Sequence, residues 1–202
     1  MASKRKSTKR AKKESPDGSE LLVKELQEIH SAETQLSRVL PRLSKAVESD
    51  TLREKLEERL TQGEQIIQDV ETCLEAMDES PGRKKNVAAE GLINDAREHV
   101  QEIEQGPALD TVLIAAVQKT EHYCIAAWGT VKALGDAVGQ KELVRAMDRA
   151  LKEGKQYDED LTQLALSEIT PALLAQGSEE DEDEGVEMSG RSNKSRTEHR
   201  AS

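Results

Sequence analysis

Phenylalanine is missing from this 202-residue chain, and the remaining aromatics are one Trp and two Tyr. A sandwich of sheets, whose strands favour aromatic and β-branched side chains, fits such a composition poorly. Long apolar runs are missing too, since nothing approaches the ~20 residues that a membrane-spanning helix needs. The basic start MASKRKSTKRAKK is followed by no apolar stretch, so no secretory signal is visible. Two cysteines, Cys73 and Cys124, provide neither a disulfide framework nor zinc spacing. A cytoplasmic location without membrane contact is therefore expected. No glycine-rich phosphate loop or serine elbow is present. Cys124 and His122 stand two residues apart, on different helix faces, which argues against a nucleophilic enzyme.

What is present is helical periodicity. One stripe runs Leu22, Leu26, Ile29, Glu33, Leu36, Leu40, Leu43, Val47, and a second runs Leu56, Leu60, Gly63, Ile67, Val70, Leu74, Met77 with Glu64 at its edge. A third gives Leu113, Val117, Glu121, Cys124, Trp128, Val131, and a fourth Leu143, Met147, Leu151, Gly154, Asp158, Leu161, Ala165. Apolar residues at this spacing mark helices that bury one face. The spacing predicts helices over about 20–47, 51–78, 108–136 and 140–167. Pro41 removes a hydrogen bond from the first and is expected to kink it. Glu48-Ser49-Asp50 and Gly135 to Gly139 are short links, so each pair should form an antiparallel hairpin. The pairs are joined by a long stretch in which Val87, Ile93, Ala96, Val100 and Ile103 suggest a shorter crossover helix. These elements predict an all-α, ferritin-like four-helix bundle rather than the simple up-down-up-down form.

The ends differ from the body. Residues 1–19 read as a basic tail and 169–202 as an acidic and polar one containing EEDEDE, both expected to be disordered, around a bundle at 20–168. The chain carries a net charge of −11, and its body is itself acidic. Such a body repels nucleic acid, so only the N-terminal KRKSTKRAKK could make weak, salt-dependent contact with it.

Each helix places an acid on or beside its stripe: Glu33, Glu64, Glu121 and Asp158. At ~1.5 Å rise per residue the first three fall near mid-helix and Asp158 about a turn away, so side-by-side packing would bring them into one layer. A core carboxylate is costly unless it is paired or holds a metal. His30, three residues before Glu33, and His122 complete the candidate ligand set.

The stretch DTVLIAAVQKTEHYCIAAWGTVKALGDAVG at 110–139, with ELLVKELQEIHSAETQLSRVLPRL in the first helix and AAEGLINDA at 88–96, resembles the YciE/YciF family of bacterial stress-associated ferritin-like proteins. The resemblance covers about residues 20–168. It implies a di-iron or ferroxidase-type bundle, commonly a homodimer or higher homo-oligomer, with iron as the expected cofactor. Such sites take one carboxylate from each of two helices and a carboxylate-x-x-histidine pair from each of the others. This chain departs from that pattern. Thr61-Gln62-Gly63-Glu64 stands at the acid-x-x-histidine position, Cys124 replaces the second acid of EHYE, and Lys152-Glu153-Gly154 replaces a glutamate-rich turn. Two readings follow. Glu33, Glu64, Glu121 and Asp158, helped by His122 and His30, could hold iron for ferroxidase or peroxide-scavenging chemistry. Alternatively, a lysine could pair with an orphaned glutamate in a metal-free polar layer of a structural, stress-protective bundle, whose basic N-terminal tail could associate with DNA.

Overall fold

The computed structural model describes residues 15–177. The basic 1–14 and acidic 178–202 segments lie outside the described residues, and with them the expectation of nucleic-acid contact and most of the two tails expected to be disordered; of those tails the described residues 18–19 and 169–177 are helical. Five helices run in chain order: α1 Gly18–Ala46, α2 Asp50–Ala76, α3 Val87–Glu102, α4 Pro107–Ala137 and α5 Lys141–Leu164. The last continues through a π turn at Ala165–Ile169, and residues 170–177 are again helical. Among the described residues there is no strand, and no helix is long and apolar enough to cross a membrane.

Local chemistry sets the helix starts. Asp17, Ser49 and Asn86 each stand just ahead of a helix and accept a backbone N–H three residues on, from Glu20, Leu52 and Ala89. Each such cap contributes on the order of 1 kcal/mol by satisfying a donor that has no partner within the helix. Pro107 occupies the first position of α4, where a missing N–H costs nothing. Pro41 lies inside α1, and the helix continues on either side of it.

The hairpins α1/α2 and α4/α5 pack side by side, α1 against α4 and α2 against α5, while the crossover helix α3 covers α1 and α4. Buried Asp110 fastens one end of the bundle by accepting the backbone N–H groups of Glu48 and Ser49 at 3.0 and 2.8 Å. Glu168, on the π turn, accepts from the Ser49 and Thr51 hydroxyls in the same place. Near mid-bundle the start of α3 is held by Asn86, whose amide donates to the Glu28 carbonyl and the Tyr123 hydroxyl. Tyr123 is thereby a fastening for the crossover.

The core is divided. Toward the Asp110 end, Leu36, Leu40, Leu52, Leu56, Leu113, Val117, Tyr157 and Leu161 form one apolar cluster. Toward the other end, Leu22, Leu26, Ile66, Val70, Cys124, Trp128, Val131 and Met147 form a second. Both stop at the same level: α1 between Ile29 and Leu36, α2 between Leu56 and Ile66, α4 between Val117 and Cys124, and α5 between Ala150 and Tyr157. What fills that level is charged.

Candidate functional site: a buried ionic layer at mid-bundle

Three side chains from three helices meet there, each at most 1% exposed: Glu33 of α1, Arg59 of α2 and Glu121 of α4. Arg59 Nε donates to Glu121 Oε2 at 2.6 Å. Its Nη2 donates to both oxygens of Glu33, at 3.2 and 3.1 Å. One edge of the guanidinium thus spans two carboxylates, a geometry that its planar fork makes possible and a lysine could not reproduce. The guanidinium carbon also lies 5.5 Å from the ring centroid of Trp128, within cation–π range.

The two glycines in the predicted stripes provide the space. A Cβ on Gly63 would lie 3.0 Å from Arg59 Nη1 and 3.2 Å from Glu33 Oε2. One on Gly154 of α5 would lie 2.5 Å from Glu121 Oε1 and 2.6 Å from Trp128 Cζ3. Neither glycine leaves a hole. Gly63 makes room for the ion pair, and Gly154 for the glutamate and the indole.

Two carboxylates against one guanidinium leave the layer one negative charge in excess. Burial opposes the Arg59 charge, but Glu33 and Glu121 outweigh it and hold its pKa well above the ordinary value. Burial pushes the Glu121 carboxyl up, with Glu33 and Asp158 adding to the shift while Arg59 works against it. Burial, with Glu33 beside it, likewise keeps the Cys124 thiol protonated. Burial also pushes up the Tyr157 hydroxyl, one turn beyond Gly154, against the pull of Arg59. Four polar atoms around the layer have no hydrogen-bond partner among the described residues: Arg59 Nη1, Glu121 Oε1, Trp128 Nε1 and Tyr157 Oη.

The other candidate residues stay outside this layer. Glu64 is exposed on the outer face of α2. Asp158 is half-buried, accepting from Gln118 Nε2 at 3.1 Å and lying 3.2 Å from His122 Nε2. The His122 side chain is 67% exposed. His30 turns away from Glu33 to meet Glu71 of α2 at 2.8 Å. Lys152, the cation expected to neutralise an orphaned glutamate, lies in a surface groove between α2 and α5. Thr61 is exposed and donates to the Glu57 carbonyl of its own helix. The inward positions of α2 at this level are Arg59 and Gly63.

Arg59 is the residue that the stripes did not find. The buried face of α2 runs Leu52, Leu56, Arg59, Gly63, Ile66, Val70, Cys73, Leu74. It lies one residue away from the expected row through Leu60, Ile67 and Met77, all of which are half-buried. Counting an arginine as a permitted core position would have recovered it, because 52, 56, 59, 63, 66 and 70 keep a strict four-three alternation.

A ferritin-like bundle implies a dinuclear iron centre, and the residues present do not fit one. A positive guanidinium fills the space between the two buried carboxylates, and the remaining acids face elsewhere. Among the described residues, no group of three or more His, Cys, Asp and Glu is placed to hold an ion.

The fold defines an all-α, ferritin-like bundle with a charged mid-layer. Residues 17–174 match the family described as "Domain of unknown function (DUF892)", and the chain belongs to that family. It is 34% identical over 145 residues to Protein YciF of Escherichia coli strain K12, covering 71% of this chain and 87% of that protein. The crystal structure of the E. coli stress protein YciF superposes with a TM-score of 0.72 at 32% identity, over 76% of this chain and 98% of that one. YcfI from Rhodopseudomonas palustris, described as "a putative structural protein", does so with a TM-score of 0.68 at 28% identity, over 73% and 94% of the two chains. The resemblance to the YciF type and the bundle expected from it are both borne out.

Proposed function

We propose that this chain is a stress-associated structural bundle of the YciF type that carries out no iron chemistry in its core. The observation that carries this reading is the Arg59 guanidinium between Glu33 and Glu121. Ferroxidase or peroxide-scavenging chemistry needs Fe(II) seated among carboxylates with positions left open for the oxidant. Here the carboxylates already have a cation, and a second one brought beside it meets its charge at close range. The description of YcfI as structural points in the same direction. A layer of this kind can also fix the register in which α1, α2 and α4 pack, because a shift of any one of them would strand a buried charge.

The test is an anaerobic Fe(II) titration of the full chain, followed by oxygen or hydrogen peroxide while ferric absorbance is recorded. Uptake no greater than that of an unrelated acidic protein of similar charge is expected. Saturation near two irons per chain with rapid oxidation, lost in Glu33→Ala/Glu121→Ala, would overturn the reading in favour of a ferroxidase.

A further inference from the structure

We infer that Arg59 is a built-in replacement for the metal of a ferritin-like site, and that the carboxylates it neutralises would take a divalent cation if it were removed. The inference builds on the metal-free reading above and goes a step further. It says that the site has been rebuilt around a guanidinium rather than eroded.

The first argument is position. Ferritin-like centres are formed by inward-pointing side chains at mid-bundle, contributed by all four helices. Glu33 and Glu121 occupy that level on α1 and α4, and Arg59 reaches it from α2. The level is also the one at which the two apolar clusters part. A cation there serves the purpose a metal would, since two buried carboxylates without one carry an uncompensated desolvation cost.

The second argument is that several departures from the metal-binding pattern become one change. A single positive charge can balance far less than two divalent ions can. A guanidinium site must therefore hold fewer acids than a metal site, and this layer holds two, Glu33 and Glu121. Cys124 lies beside Glu33 as a neutral thiol where another carboxylate would add a third buried negative charge. Gly154 presents bare backbone on α5, and Glu121 and the indole of Trp128 fill the space a side chain would take. The guanidinium in turn lies over that indole. Gly63, one turn beyond Arg59, leaves room for Nη1, which any Cβ at that position would crowd. Random loss of ligands would give voids and stranded acids. Here the replacements form an enclosure around one side chain.

The experiment is metal rescue in the full chain. Arg59→Ala is expected to lower Tm by about 10 °C, the scale expected when one partner of a buried ion pair is deleted in a protein of this size. Adding Mn(II) or Zn(II) should return several degrees at a concentration ~100 times its Kd, because the ion binds the folded state alone. Wild-type protein should show no metal-dependent change in Tm or in the fluorescence of Trp128. If Arg59→Ala does not fold without metal, folding that begins on metal addition supports the inference equally. If it folds under neither condition, Arg59→His supplies a smaller side chain with a ligating nitrogen, and the same rescue is expected. Indifference of both variants to metal overturns the inference while leaving the metal-free reading intact. A metal-induced shift in the wild type that disappears in Glu33→Gln/Glu121→Gln overturns it as well, because the arginine would then not be holding the site.

Discussion

Glu121 and His122 are neighbours in the chain, and the structure gives them opposite environments. Glu121 is 1% exposed and joins Arg59 and Glu33 in the ionic layer. The His122 side chain is 67% exposed and meets Asp158 at the surface of the α4/α5 hairpin. His30 and Glu33 differ in the same way on α1, one facing Glu71 at the periphery and the other the core. Glu33, Glu121, His30 and His122 all belong to types that bind metals. The ~100° of helix rotation between adjacent positions, or ~60° over three, decides which ones enter the layer and which stay at its rim. Interior and rim therefore share a chemical inventory and differ in what the loss of a member should cost.

The largest effect is expected inside. Arg59→Ala leaves two buried carboxylates without their cation, and the cost of deleting one partner from such a pair is about 3–5 kcal/mol. Urea unfolding followed by the fluorescence of Trp128, the only tryptophan, measures it directly. A loss below about 1 kcal/mol would place the layer in the same class as the surface pairs and remove the contrast drawn above.

Gly154→Ala tests the enclosure instead of the charge. Its Cβ would stand 2.5 Å from Glu121 Oε1 and 2.6 Å from the indole, so one of them must move. Overpacking of this kind costs about 1–3 kcal/mol, outweighing the ~1 kcal/mol that alanine gains over glycine in a helix. Gly129, also within a helix, has no atom within 4 Å of an added Cβ. Gly129→Ala should stabilise the protein by up to about 1 kcal/mol, and opposite signs in the two variants are the outcome to look for.

How legible this was depended on the helix. On α1 and α4 large aliphatic residues flank the acid at regular intervals, so Glu33 and Glu121 announced themselves as interruptions. On α2 the interruption is an arginine followed by a glycine, and a row drawn through aliphatics alone slid one residue, to Leu60 and Ile67. On α5 the buried face between Met147 and Leu161 is made of Ala150, Gly154 and Tyr157, whose low hydrophobicity left the row free to pass through Asp158. The scaffold was readable because many residues vote on it. The layer was half readable because it rests on one residue per helix, and its key member is of a type that is rarely buried.

A pH series sharpens the interior side of the comparison. The Glu121 carboxyl is raised above its ordinary value by burial, despite the opposing pull of Arg59. Between the ordinary carboxylate range and that raised value, the folded protein holds a proton that the unfolded chain has released. Stability must therefore fall as pH rises through that window. Glu121→Gln keeps an acceptor for Arg59 Nε and cannot titrate, so its stability should vary less with pH there. Equal slopes for the two proteins, from urea midpoints at each pH, would show that Glu121 does not titrate in that window.

The rim should respond least. His122 pairs with an Asp158 that also accepts from Gln118, so His122→Ala leaves that carboxylate with a partner and with access to water. Exposed pairs of this kind contribute about 0.2–1 kcal/mol, and the loss should fall in that range. It should also add to the loss in Gly154→Ala, because the His122–Asp158 pair shares no hydrogen bond with the layer. A double variant that departs from the sum by more than about 0.5 kcal/mol would mean that the surface pair and the ionic layer are coupled through α5. In that case the residues read from the sequence as one site would be energetically one site after all, with Asp158 joined to it through helix position instead of through a shared ligand.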